Sequence, residues 1–311
     1  MYKLSIDTGF GTDDIAYLNN DKLQYFKYIS VYAKAPADAE DMPLFEGERY
    51  YIGEEALMED SEDIINVIDY KTHEKMAPLS IWNALNKLGL TDKDIDTLYI
   101  GLSLAQKDYA KIFLKRVSKF KVNNVTYDFT GKIKLVPQAV GAKYAIDHFY
   151  YDGSHKKNYA ICDIGQLTVD VVTVIKGQVR SENVSGTSNE GIIKIIQQIQ
   201  EYIAKEYSEI ISVKEAQEVL ISKKYNLFGE KDMTEVIEKF KNEYTLYIIN
   251  MLKKRYRNIF KKYPKIYFVG GGAYYINFDI LSDIDGISLD TFEIPSDSEF
   301  YNAIGNLYIP E

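Results

Sequence analysis

Two stretches of this chain carry the same four residues at the same spacing. Asp7, Gly9, Thr12 and Asp14 form one D-x-G-x-x-T-x-D pattern, and Asp163, Gly165, Thr168 and Asp170 form the other. A short β-type run precedes each copy, Tyr2 to Ile6 and Tyr159 to Cys162. A strand that ends in Asp-x-Gly and resumes as a strand is a tight hairpin. Gly at its tip lets backbone N–H groups approach an anion, and Asp beside it can hold a cation. Two such hairpins facing each other would clamp a Mg²⁺–polyphosphate from both sides. Two unrelated surface turns would also favour Gly and Asp, but they would not share the preceding strand.

Further along, Gly270-Gly271-Gly272 directly follows the apolar run Ile266 to Val269. Glycines cost backbone entropy on folding, so three in a row after a buried strand need a reason. Close approach of a nucleotide at a helix start supplies one. Lys253-Lys254-Arg255-Tyr256-Arg257 with Lys261-Lys262 is a basic patch, read first as a solvated helix end whose cations suit the helix dipole.

The elements that position these residues alternate. Residues 2–7 and 12–18 read as a first hairpin and 24–75 as irregular, a small inserted subdomain. Met76 to Leu88 reads as an amphipathic helix ended by Gly89. A strand over 97–102, a helix over 109–120 and a strand over 132–136 follow. A helix is expected from Gln138 to Phe149, with Pro137 at its start. The second half repeats this order with strands at 159–163 and 169–175, a Lys-Gly turn, and Ser185 to Gly191 leading into an isoleucine-faced helix. Helices are expected near 213–223 and over 232–262, closed by Pro264. The segment Ser296 to Leu307 reads as a helix packed back on the first half. Such alternation predicts α/β layers, and the duplication predicts two similar domains with a ligand cleft between them.

The chain has 311 residues, enough for two domains, and its composition is that of a globular protein. Its net charge of −9 argues against broad direct nucleic-acid contact. One cysteine, Cys162, allows no internal disulfide, as suits a reducing cytoplasm. His73, His148 and His155 show no metal-ligand spacing. The expectation is a cytoplasmic protein without a signal peptide or membrane span.

Five motifs, taken in order, resemble those of the actin/Hsp70/hexokinase ATPase superfamily. They are Ile6–Gly11 as a first phosphate loop, Leu135–Ala142 as a first connecting helix, Asp163–Asp170 as a second phosphate loop, Phe268–Ala273 as an adenosine motif and Phe300–Leu307 as a second connecting helix. Length and the compact second domain look most like bacterial actins of the plasmid-segregating ParM/StbA group. The resemblance implies duplicated actin-like (ribonuclease H-like) domains flanking a nucleotide cleft. Domain I would be 1–142 plus 296–311, with an insertion at about 31–75. Domain II would be 143–295, with a helical insertion at about 182–263.

The same resemblance implies roles residue by residue. Asp7 and Asp163 would touch the hydration shell of Mg²⁺. Gly9, Phe10, Gly11 and Thr12 would meet the phosphates of ATP or GTP from one side, and Gly165, Gln166, Leu167 and Thr168 from the other. Gln166 departs from the Gly of many relatives. Gln138 stands where actin has Gln and many bacterial relatives have Glu. It would orient the attacking water, which suffices when catalysis is mostly positioning, with Asp163 and Asp170 as further catalytic candidates. Gly186 and Gly270, Gly271, Gly272 and Ala273 would contact the nucleoside, and the helix from Lys214 to Lys224 would flank the base. A nucleotide-driven homopolymeric filament that segregates plasmid DNA through a separate DNA-binding adaptor is the leading expectation. A non-polymerising phosphotransferase or exopolyphosphatase, or a nucleotide-binding scaffold, is the alternative.

Overall fold

A computed structural model describes residues 1–59, 63–151, 157–179, 185–256, 258–282 and 288–310. His155, Arg257 and the expected insertion boundary at 182 lie outside them.

The first hairpin joins β1 (Tyr2–Thr8) to β2 (Thr12–Asn19), and a second turn leads to β3 (Lys22–Ile29). The stretch expected to be irregular is largely strand. Its segments β4 (Val31–Ala35), β5 (Leu44–Phe45), β6 (Glu48–Ile52) and β7 (Ile64–Asn66) form a separate sheet in the order β5-β6-β4-β7. The acidic and turn-forming letters that suggested irregular structure sit in its turns, as at Glu46 and Gly47, both at positive φ.

Helix α1 (Tyr70–Leu88) begins six residues before Met76, because the Asp69 side chain accepts the Thr72 N–H and caps it there. It ends at left-handed Gly89, as expected. Then come β8 (Ile95–Leu102), α2 (Ala110–Ser118), the unforeseen hairpin β9 (Lys119–Val122) with β10 (Val125–Asp128), and β11 (Ile133–Pro137). The sheet order is β11-β8-β1-β2-β3, with β11, β8 and β1 parallel. Pro137 therefore closes an edge strand, where its missing N–H is tolerated, rather than opening a helix. Gln138 and left-handed Ala139 form the turn, and α3 runs over Val140–Tyr150.

The second half opens with β12 (Tyr159–Ile164), β13 (Thr168–Ile175) and β14 (Gln178–Val179). The expected Ser185–Gly191 lead-in includes a strand, β15 (Ser185–Ser188), laid antiparallel on β13. Helices α4 (Ile193–Tyr207) and α5 (Val213–Ser222) follow, then the hairpin β16 (Lys224–Asn226) and β17 (Glu230–Asp232). The helix expected over 232–262 is two helices, α6 (Thr234–Arg255) and α7 (Ile259–Lys262), with left-handed Asn258 before the second. Strands β18 (Ile266–Val269) and β19 (Phe292–Glu293) complete a sheet in the order β14-β13-β12-β18-β19.

Helix α8 (Tyr301–Asn306) returns to the first half. It packs with α3 in one core holding Ala16 and Tyr99 from the first sheet and Ile161 and Val172 from the second. A Cβ on Gly305 would overlap the Gly141 carbonyl, so these two glycines set how closely the helices cross. Among the described residues no helix is long and apolar enough to cross a membrane.

Candidate functional site

The two repeated patterns fold into hairpins of identical register. Asp7 pairs with Asp14 across β1–β2, and Asp163 pairs with Asp170 across β12–β13. Asp7 and Asp163 both stand near the carboxyl ends of parallel neighbours, β1 beside β8 and β12 beside β18. Ligands of such sheets bind beyond those ends. A Cβ on Gly101 would overlap the Asp7 carboxylate, and one on Gly270 would crowd that of Asp163. Asp7 thus lies in the hollow of a glycine on the adjacent strand, and Asp163 in that of the glycine just after one.

The hairpins meet. A Cβ on Gly11 would collide with the Gln166 side chain, and Gln217 Nε2 on α5 donates to Gln166 Oε1 at 2.7 Å. The Gly9 N–H is bound by Asp13 Oδ1 at 3.2 Å and the Gly165 N–H by the Thr168 carbonyl at 2.9 Å. Those two expected donors are occupied within their own hairpins. The N–H groups of Phe10, Gly11, Gln166 and Leu167 have no acceptor among the described residues. Four unpartnered amides on facing turns are what an anion would satisfy.

Gln138 Nε2 donates to Asp7 Oδ1 at 2.8 Å. Asn302, on α8, donates to Asp163 Oδ2 at 2.6 Å and accepts from the Ala139 and Ala142 N–H groups. It ties the turn bearing Gln138 to the second loop. Sequence reasoning placed Asn302 in a connecting helix but gave it no role. Gly101, His73 and Gln106 were also missed. Gln106 Nε2 can only donate to His73 Nδ1, at 3.1 Å, so Nε2 of the ring carries the proton toward Thr8 Oγ1 at 3.0 Å. Burial lowers His73 to about 4, which keeps it neutral beneath the first loop.

The site is acidic. Burial pushes Asp7 up to about 6 and Asp163 up to about 7, the latter also through repulsion from Asp7. Burial raises Asp13 to about 7 and Asp14 and Asp170 well above the usual range. Among the described residues none of Asp7, Asp163 and Asp170 is paired with a cationic side chain. No group of three or more His, Cys, Asp or Glu there is arranged to hold a metal. That combination fits Mg²⁺, which needs one or two carboxylates and takes its other ligands from phosphate and water.

Comparison with solved structures decides the architecture. Over 98% of both chains, the protein superposes on a non-polymerisable mutant of pCBH ParM with TM-score 0.79 at 18% identity. It superposes on ParM in a 15-stranded filament from Clostridium botulinum with TM-score 0.74 at 18% identity, covering 98% of this chain and 97% of that one. The ADP complex of Ta0583, an archaeal actin homologue, gives TM-score 0.70 at 18% identity over 98% and 97%. The chain has the actin fold. Residues 161–280 of this actin-like chain also match the family of archaeal MreB-like actin homologues, C-terminal part. A search of curated proteins finds no match.

The remaining candidates occupy distinct places in the actin-like frame. Asp170 accepts from Ser103 Oγ at 3.2 Å and from the Leu104 N–H at 3.1 Å, both in the first half. Gly186 packs on the Asp170 carboxylate and the Leu104–Ala105 backbone, a contact that itself requires glycine. Gly270 and Gly272 crowd Ile164, whereas Gly271 is exposed, with nothing within 4 Å of a Cβ built there. Of the three, Gly271 leaves open space for a ligand. Ala273 is buried beneath them. Thr12 Oγ1 donates to Asp14 Oδ2 at 3.4 Å, and Thr168 is buried.

Two bonds close the mouth between the halves. Tyr70 Oη lies 2.6 Å from Ser188 Oγ, and Lys214 Nζ donates to the Leu57 carbonyl at 2.7 Å. Lys214 opens the helix expected to flank the base.

Proposed function

We propose that this actin-like protein binds and hydrolyses ATP or GTP with Mg²⁺ and uses the cycle to assemble and disassemble a filament. The observation that carries this reading is the pair of facing hairpins in identical register, with unpartnered amides at Phe10, Gly11, Gln166 and Leu167. Those four N–H groups receive the phosphates. Asp7 and Asp163 hold the hydrated Mg²⁺, whose charge neutralises the phosphoryl oxygens. Gln138, fixed through Asp7, orients the attacking water, a positioning task that needs no strong base. Asp170, gripped by Ser103 and Leu104, couples the second loop to the first half. Residues 1–142 with 296–311 act as one domain and 143–295 as the other, closing on the nucleotide between them.

The solved structures that this chain resembles include ParM proteins, one of them in a filament, beside an archaeal actin homologue. A role in plasmid segregation in the cytoplasm rests on the resemblance of the five sequence motifs to the ParM/StbA group. The net charge of −9 supports leaving DNA contact to a separate adaptor. The test is light scattering of the pure protein on adding Mg²⁺-ATP or Mg²⁺-GTP, with phosphate release followed in parallel. Scattering that rises above a critical concentration, with phosphate release lagging, is expected. Flat scattering well above micromolar protein overturns the filament, and absent phosphate release overturns the hydrolase.

A further inference from the structure

The two ends of the second half differ in kind. At one end the β16–β17 hairpin carries Phe228 at its tip, fully exposed and at positive φ. Ile221, 73% exposed, ends α5 beside it. A phenylalanine held bare on a two-stranded tip forgoes about 2 kcal/mol of burial, so folding does not account for it. The Met233 N–H donates to the Lys223 carbonyl at the hairpin's base, and α6 starts there. Its 22 residues span about 33 Å at 1.5 Å per residue. Helix α7 and Pro264 then lead into β18 at its amino end, opposite the phosphate loops.

At that far end is a cavity of about 440 Å³ whose lining includes Tyr150, Tyr151, Tyr267, Lys157 and the ion pair of Lys265 with Glu293 at 3.1 Å. Its walls are tyrosine rings, with Tyr150 tilted against Tyr267 and Tyr151 edge-on to it, and Lys157 Nζ 4.7 Å above the Tyr151 ring. Charge differs between the ends too. From Lys253 to Lys262 the chain has six Lys or Arg and no acid, whereas from Glu206 to Glu235 it has seven acids against four lysines. Knob and acid lie at one end, hollow and base at the other. A contact between such unlike patches is heterologous, so it propagates instead of closing on itself.

We propose that the Phe228 hairpin of one copy seats in the tyrosine-lined cavity of the next, with the basic α6–α7 end against its acidic head. This contact rests on the filament reading and supplies its longitudinal joint. The basic patch noted in the sequence is then part of an interface.

Cysteine crosslinking tests it, since the one native cysteine, Cys162, is buried. Full-length F228C and K157C proteins are mixed with Mg²⁺-ATP or Mg²⁺-GTP, oxidised gently and run on a non-reducing gel. A mixed dimer that increases with nucleotide is expected. A yield no higher than for F228C mixed with K121C, on the exposed β9 strand, overturns the contact, as does a dominant F228C homodimer. In scattering, F228A should raise the critical concentration at least tenfold with nucleotide affinity unchanged. If F228A assembles at the wild-type critical concentration, this contact falls and the filament stands. If the wild type itself stays monomeric with nucleotide, both fall.

Discussion

The two repeated hairpins share a register and differ in what faces their second aspartate. Opposite Asp14 on the next strand stands Lys27; opposite Asp170 stands Gly186. The lysine's ammonium is turned to Glu299 at 3.1 Å, and Asp14 Oδ1 is left buried without a hydrogen-bond partner. The glycine lets the first half's backbone reach Asp170, so that carboxylate is bound on its Oδ1 by two donors. One duplicated hairpin has thus become the seam between the halves, while the other keeps a buried carboxyl oxygen without a hydrogen-bond partner. Duplication preserves the residues that meet the shared ligand and frees the others to diverge.

The comparison can be broken most strongly at the first aspartates. If Asp7 and Asp163 are equivalent, D7A and D163A should each weaken Mg²⁺-nucleotide binding about 10- to 100-fold, the usual loss for groups acting at one remove from a metal. Calorimetric titration checks this, and a large effect in only one of them would end the equivalence. Gln138→Ala should lower the rate of phosphate release about 100-fold at unchanged nucleotide affinity, as expected of a positioning group. Unchanged turnover would remove Gln138 from the mechanism.

The seam can be broken at Gly186. Gly186→Val forces a side chain into Asp170 and the Leu104–Ala105 backbone, and should destabilise by about 1–3 kcal/mol. Chemical denaturation measures it. Lys27→Met, at the corresponding place in the first half, breaks a half-exposed ion pair and should cost no more than about 1 kcal/mol. Equal losses at the two sites would contradict the asymmetry.

Acidity sharpens what both hairpins share. In the fold Asp7 is raised to about 6 and Asp163 and Asp13 to about 7, against about 3.9 for free Asp. Between those values the folded chain binds more protons than the unfolded one. The stabilisation is complete below about pH 4 and is lost as pH rises through 6 and 7. Nucleotide-free protein should therefore melt at a lower temperature at pH 8 than at pH 6. Mg²⁺-nucleotide should narrow that gap by neutralising the carboxylates. A melting temperature independent of pH in this window would show them ionised and compensated in the free protein.

The repeated pattern was legible because its spacing is local. Asp, Gly, Thr and Asp within eight residues fix a hairpin, and the register observed is the same in both copies. The alternation of elements and the return of the last helix were readable for a like reason, since apolar periodicity and Gly or Pro stops are written in neighbouring residues. What escaped notice depends on distant partners. Asn302 matters because Asp163 and Ala139 lie beside it, more than 130 residues away in sequence. Gly101 matters because β8 runs beside β1. The inserted sheet was misread because its strands are short and its turns carry the strongest letters. Pro137 was assigned to a helix start because a proline on an edge strand and one at a helix N-terminus look alike until the sheet order is known.

The two bonds across the mouth have a kinetic consequence. A nucleotide seated between the loops, as proposed, would have the Lys214–Leu57 and Tyr70–Ser188 bonds across its way out. At about 1 kcal/mol each, having to break both first would lengthen the dwell of a bound product roughly thirtyfold. The spent diphosphate would then outlast the chemistry that made it, and each subunit would keep a record of its age.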